Sequence, residues 1–253
     1  CKEGFMNQSF FTGAVAAHQQ LKRLTVYGNN IANLNTYGFK SERARFAALM
    51  YDDVKNADEE MLPVGVGTCL WTTDTNFNPG PVAETGRKQD YLIEGDGFFA
   101  LVDLQTNEVS LTRSGAFTIA ELLRPTGEVD AEGQPVEERI MYLADGDGRF
   151  VLSETGGMIE VDDFNAQYPV GIFDYINYNG MTQLNDTRFT PVDKNGGLRR
   201  GSGVLRQGML EMSNADYAEE VSKVIETQRA YGMALKMVQA SDEIETTINS
   251  LRN

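Results

Sequence analysis

Residues near the start of the chain recur at alternating spacings of four and three: Phe10, Ala14, Ala17, Leu21, Leu24, Gly28 and Ile31. The same rhythm returns near the end in Tyr217, Val221, Val224, Gln228, Tyr231, Leu235 and Val238. A period of about 3.5 residues belongs to a narrow coiled-coil seam rather than to a helix lying on a globular core. The first pattern predicts a helix from Asn7 or Ser9, either of which can cap it, to about Asn33. It stops in Asn33-Leu34-Asn35-Thr36-Tyr37-Gly38, a cluster of turn formers ending in a glycine suited to positive φ. The second predicts a helix capped by Ser213, roughly 35–38 residues and about 55 Å long. Asp216, Glu219 and Glu220 in its first turn and Arg252 at its far end complement the helix dipole. Its seam drifts after Val238 into Ile244, Ile248 and Leu251.

Between the helices the period changes to two. Residues 41–55 read as a short helix or an extended arm, and Asn56 to Pro63 as a polar, acidic loop. From Val64 to about Gln207, apolar runs such as Tyr91-Leu92-Ile93 and Phe98-Phe99-Ala100-Leu101-Val102 bracket turns such as Gly95-Asp96-Gly97. Ile140–Leu143 and Phe150–Leu152 bracket Asp145-Gly146-Asp147-Gly148 in the same way, and Asn179-Gly180 is a two-residue hairpin signal. Short local connections argue for an antiparallel system closed into a barrel or sandwich. The expected fold is therefore α+β, with N- and C-terminal coiled-coil helices flanking a mainly antiparallel all-β central domain. Its expected divisions are 1–40, a linker or arm over 41–63, a β domain over 64–207, and 208–253.

The chain of 253 residues has a formal charge of −15, which repels phosphate backbones and disfavours nucleic acid and anionic membrane surfaces. No run approaches the roughly 18 apolar residues of a membrane span. No basic segment precedes an apolar core near the start, so no cleavable secretory signal is expected. Two cysteines, Cys1 and Cys69, make no disulfide framework. Cys1 is read as an ordinary residue or a remnant of how the chain was made.

Catalytic chemistry finds little to work with. His18 is the only histidine, so a triad or a His-based zinc site lacks its second partner. The Asp145–Arg149 loop lacks the spacing and terminal glutamate of a calcium loop. Gly95-Asp96-Gly97 has no following lysine or helix to bind phosphate, and Glu94 with Asp96 is an acidic pair of a kind frequent by chance. No enzyme activity, cofactor or metal is expected.

Three segments read together as a family. Asn29-Asn30-Ile31-Ala32-Asn33-Leu34-Asn35-Thr36-Tyr37-Gly38-Phe39-Lys40 closely resembles the NNIANxNTxGFK signature of flagellar rod and hook proteins. Glu94-Gly95-Asp96-Gly97-Phe98-Phe99 followed by Leu111-Thr112-Arg113-Ser114-Gly115-Ala116-Phe117-Thr118 is similar to their DGxGFF and YTRxGxF core. Gln207-Gly208-Met209-Leu210-Glu211-Met212-Ser213-Asn214 and Glu226-Thr227-Gln228-Arg229-Ala230-Tyr231 resemble their QGxLExSNV and EAQRAYE C-terminal motif. The resemblance spans nearly the whole chain. It departs at Gly28 and Gly232, where glycine replaces the usual serine and glutamate, and in a long acidic insert over Leu122 to Glu138.

The resemblance implies a structural subunit of the bacterial flagellar basal-body rod, in the distal or adjacent proximal rod subfamily. Such a subunit polymerises through its terminal helices into a hollow axial drive shaft that transmits torque to the hook. The implied partners are copies of itself, other rod and hook axial proteins, and the flagellar type III export apparatus, with no nucleic acid and no membrane insertion. The implied location is the flagellar basal body, as a periplasmic or cell-wall-spanning rod. A hook-related axial subunit and a secreted enzyme acting on peptidoglycan are the competing readings.

The expected assembly interface follows. Small seam residues such as Ala14 let helices approach, while Phe10, Leu21, Leu24 and Ile31 fill the holes between them, with Val221, Val224, Tyr231, Leu235 and Val238 on the second helix. Asn29, Asn30, Asn33 and Asn35 either bridge to a neighbouring chain or cap the helix exit. Gly38 and Phe39 close that exit. Gln228 and Arg229 either fix register or lie on a solvated face.

Overall fold

The computed structural model describes residues 3–49, 51–55, 61–65, 67–129, 135–164, 166–185 and 187–252. A helix stands at each end, α1 (Glu3–Ala32) and α2 (Tyr217–Arg252), with strands and turns between them. Every named strand pairing is antiparallel. The protein is thus α+β. Its chain divides into a helical unit (Cys1–Ala32, Glu42–Asn76, Asp216–Asn253) and a β unit (Asn33–Ser41, Phe77–Ala215).

In the helical unit, α1 begins several residues before the expected caps, because no proline or turn cluster between Glu3 and Phe10 halts it. Asn7 and Ser9 therefore lie inside the helix. At α2 the cap is Asp216 rather than Ser213. Asp216 Oδ1 accepts the amides of Ala218 and Glu219 at 2.8 and 3.1 Å, while Ser213 Oγ reaches only the Ala215 amide.

The two helices pair antiparallel. Ser9 meets Ser241 hydroxyl to hydroxyl at 3.0 Å, Arg23 meets Glu226 at 3.5 Å, and Asn30 meets Glu220 at 3.0 Å. In every pair the two residue numbers add to about 250, as a constant antiparallel register requires. Gly13 lies so near the other helix that a Cβ there would sit 3.0 Å from a methyl of Val238.

Beside α1 runs an antiparallel pair, β1 (Glu42–Ala48) with β4 (Thr68–Thr75), bulged after Arg45. A second hairpin joins β2 (Tyr51–Lys55) to β3 (Met61–Gly65). The described residues of the stretch expected as a linker over 41–63 are strand except Ser41 and Leu49, so the described part of 42–55 takes the extended alternative. Of the expected loop, 56–60 lie outside the described residues and 61–63 belong to β3. Gln19 fastens the pair to α1 by accepting the Leu70 amide at 3.0 Å.

The β unit is built from β5 (Val82–Glu84), β6 (Tyr91–Glu94), β7 (Phe99–Val102), β8 (Val109–Thr112), β9 (Thr118–Val129) and β10 (Pro135–Ala144). It continues with β11 (Phe150–Val151), β12 (Phe173–Asp174), β13 (Thr182–Asn185), β14 (Arg188–Thr190), β15 (Arg199–Arg200), β16 (Val204–Gln207) and β17 (Met209–Glu211). Seven strands form one sheet in the order β13-β14-β8-β7-β11-β10-β9, while β12–β15, β16–β6 and β17–β5 are separate two-stranded ladders. The strand order runs from β13 to β9 without returning on itself, so among the described residues the sheet is open and is not the closed barrel that was one of the two expected forms, barrel or sandwich. Both faces are nonetheless buried. Phe99 and Leu101 of β7 join Tyr91, Ile93, Phe117, Leu143 and Val151 on one side. Phe98 and Ala100 join Leu111, Tyr175, Met181 and Phe189 on the other. Burial on both faces explains why the motif Phe98–Val102 is a continuous apolar run rather than an alternating one.

Gly95-Asp96-Gly97 separates β6 from β7 as expected, and β6 pairs with β16. The hairpin reading of the next turn needs correction. Asn179-Gly180 does form a turn, yet its flanking strands pair elsewhere. Asn195 takes the carbonyls of Asn177 and Asn179 at 2.7 and 3.2 Å, which occupies the backbone a hairpin would use. The insert over Leu122 to Glu138 is the outer half of the β9–β10 hairpin, whose residues 130–134 lie outside the described residues.

Candidate functional site

Three of the motif segments converge inside the β unit on one carboxylate. Glu211 is buried, and its Oε1 accepts from Lys40 Nζ at 2.6 Å and from the Gly80 amide at 2.8 Å. Its Oε2 faces Arg113 Nη1 at 3.5 Å, and the Glu211 carbonyl accepts the Gly38 amide at 2.7 Å. Lys40 also donates to the Asn78 carbonyl at 2.8 Å. Arg113 donates to the carbonyls of Ile93 and Gly95 and lies over the Phe98 ring. Burial pulls the Lys40 pKa below the usual lysine range. Glu211 opposes that shift by charge and hydrogen bond, and the Arg113 charge reinforces it. Two cations share one anion here, so removing Glu211 would leave two buried like charges without compensation.

The local backbone explains why this sequence builds the site. Gly38 has φ of 70°, and a Cβ there would run into the Ser114 backbone. Gly115 lies so close under Tyr91 that a Cβ would fall on its carbonyl. Neither position admits another residue without a backbone shift.

In the helical unit the polar centre is Asn30, fully buried. Its carboxamide donates to the Glu42 carbonyl at 2.8 Å and to Glu220 Oε2 at 3.0 Å, and accepts the Glu42 amide at 3.0 Å. It therefore ties α1, β1 and α2 together. Lys223 completes the cluster, bonding Glu220 at 3.0 Å and Glu219 at 2.7 Å while standing over the Tyr27 ring. Burial lowers the Lys223 pKa, but its bonds to Glu219 and Glu220 outweigh that and leave it raised. Asn30→Ala is expected to cost about 2–3 kcal/mol, since it removes three hydrogen bonds of a fully buried side chain, one of them to the buried Glu220 carboxylate. Denaturant unfolding followed by the far-UV helical signal measures it, and a loss below about 0.5 kcal/mol would contradict the bonding pattern.

The apolar stripes read from the sequence are not, for the most part, the faces that meet within the chain. On α1, Phe10, Ala14, Leu21 and Gly28 are exposed, Leu24, Asn29 and Ile31 are half-buried, and Ala17 is buried. On α2, Leu235, Gln228 and Arg229 are exposed, while Val221, Val224, Tyr231 and Val238 are half-buried. The residues buried on α2 are Glu220, Thr227 and Ala234, seven apart. Small and polar side chains thus supply the fully buried residues of α2, while Phe10, Leu21 and Leu235 stay exposed. A pattern search for apolar residues passes over such a face.

The exit residues divide as well. Asn33 is buried and accepts the Thr36 hydroxyl at 3.0 Å, which makes it a turn residue, and Asn35 is exposed. Gly38 and Phe39 are buried in the β unit beside the Glu211 site, so neither presents a surface. Lys40, Arg113 and Glu211 were absent from the expected site. The available signal was a charged residue set among apolar ones in each of three short motifs. His18 lies exposed on α1. Glu94 is exposed and paired with Arg206, and Asp147 pairs with Arg149 and Arg188.

Comparison with known proteins gives two partial matches and several full-length ones. Residues 11–40 match the flagella basal body rod protein family, and residues 206–251 match the C-terminal region of flagellar basal body rod FlgEFG proteins. Lys40 closes the first match, and Glu211 lies near the start of the second. Along its length the chain is 31% identical to the flagellar basal-body rod protein FlgG of Borreliella burgdorferi, covering 98% of this chain and 99% of the relative. It is 28% identical to FlgG of Buchnera aphidicola subsp. Schizaphis graminum, covering 97% and 100%. It is 26% identical to FlgG of Bacillus subtilis, covering 98% and 100%.

Proposed function

The chain belongs to the flagellar basal-body rod protein family and is a structural subunit of the rod rather than an enzyme, and on that premise we propose that it polymerises through its two terminal helices. The polymer is a hollow axial shaft that transmits torque to the hook. Its contacts are coiled-coil packing between helices of neighbouring copies, and its other partners are the adjoining rod and hook proteins. The subunit reaches its periplasmic position through the flagellar type III export apparatus.

The observation that carries this reading is the division of labour on α1 and α2. Gly13, Ala17, Thr227 and Ala234 close the pair within the chain. Phe10, Leu21, Ile225, Met233, Leu235, Met237, Ile244 and Ile248 stay exposed. Large apolar side chains in a row on two long helices mark an association surface. Leu21, Leu24, Ile31, Val224, Tyr231 and Leu235 are the residues proposed to fill the spaces between copies, with Gln228 and Arg229 setting register.

Ending the chain after Ala215 removes α2 and keeps every strand of the β unit. Cells carrying only this shortened chain are expected to make no rod beyond the point where the subunit is needed and not to swim. Swimming restored by the shortened chain would overturn the proposal.

A further inference from the structure

The segment that brings the chain into the β unit and the segment that takes it out are joined to each other at the Glu211 site. The Gly38 amide donates to the Glu211 carbonyl, and the Asn214 amide donates to the Phe39 carbonyl at 3.4 Å. Asn214 Oδ1 accepts the Ser41 amide at 2.7 Å, and its Nδ2 donates to the Asn78 carbonyl at 2.9 Å. The buried Lys40–Glu211 pair sits at the centre of these ties. We propose that this cluster is a clasp with two states. Closed, it holds the incoming segment 33–41 and the outgoing segment 208–215 together; open, it releases both while the seven-stranded sheet stays folded.

Two features argue for separate opening. First, the clusters on the two faces of the sheet contain no residue of 33–41 or 208–215, and Arg113, which stands over Phe98 and donates to the Ile93 carbonyl, stays with the sheet when those two segments leave. Second, the clasp is polar and ionic at its centre, with Lys40, Arg113 and Glu211 all buried. Such a site tolerates no half-measures. If Glu211 withdraws alone, Lys40 and Arg113 are left as unpaired buried cations, so the stable arrangements are fully closed and fully hydrated. The partners are also far apart in sequence, which makes closure expensive in chain entropy and places it late among the folding contacts. The consequence is a built-in release for the two connections to the terminal helices. This inference rests on the β unit alone and does not depend on the polymerisation reading.

Native-state hydrogen exchange of the full chain in low denaturant tests it. The amides of Gly38, Gly80 and Asn214 are expected to exchange as a set, at least about tenfold faster than those of β7 and β8 and with a weaker denaturant dependence. Lys40→Met is expected to speed that set a further tenfold or so while leaving β7 and β8 within about twofold. The clasp is overturned if the three amides share the rate and denaturant slope of β7 and β8, or if they exchange independently of one another. The wild-type measurement decides the matter even if the variant folds poorly.

Discussion

Gly115→Ala is expected to destabilise the β unit by about 3 kcal/mol. The new Cβ would fall on the carbonyl of Tyr91, whose amide bonds the Gly115 carbonyl at 3.0 Å. Both groups are backbone, so no side-chain rotation relieves the overlap. Tyr91 is itself buried among Phe99, Phe117 and Leu143, so a backbone shift there reaches the main core. The same substitution at Gly28 or Gly232 has the opposite sign. Apart from its chain neighbours and the helix's own backbone, no atom of the described residues lies within 4 Å of a Cβ at either helical glycine, and alanine there is expected to stabilise by up to about 1 kcal/mol. Denaturant midpoints of the three variants, followed by circular dichroism, give the comparison. A Gly115→Ala variant within about 0.5 kcal/mol of wild type would contradict the close approach.

A second expected result separates folding from assembly. Leu21→Glu combined with Leu235→Glu is expected to abolish rod formation while changing the stability of the free subunit by less than about 1 kcal/mol. The reason is exposure. Leu21 is 43% and Leu235 39% exposed, so a charge at either meets water in the isolated chain. Between copies it would be a desolvated carboxylate without a partner, which is far more costly. Electron microscopy of basal bodies reads the assembly side, and thermal unfolding of the purified subunit reads the other. Normal rods from the double variant would show that these side chains face solvent in the assembly too. Collapse of the free subunit would show instead that they help hold its own helices.

Much of the fold was legible because it rests on local chemistry. The Asn33–Gly38 turn ends α1 at Ala32, where the cluster of turn formers predicts. Charge in the first turn of α2 is likewise where the dipole favours it. The Phe98–Val102 run is a strand for the reason its composition suggests. What was not legible depends on partners far along the chain. No local pattern tells that Lys40 will meet Glu211, or that β6 will pair with β16 rather than with β7. Which residues close the helix pair within the chain was not legible for a related reason. Hydrophobic periodicity picks out the larger apolar side chains, whereas the residues buried between the helices include glycine, alanine, threonine and an Asn30–Glu220 bond. Most residues of the sequence rhythm are exposed or half-buried in the subunit.

The constant sum of partner numbers along α1 and α2 has an evolutionary corollary. Lengthening a surface loop of the β unit raises that sum and disturbs no pair between α1 and α2, so those loops are free to grow or shrink. Deleting one residue inside either helix is another matter, because every partner on one side of the deletion would swing by about 100° around the axis. Lineages should therefore vary this protein in the middle by insertion and at its ends only by substitution.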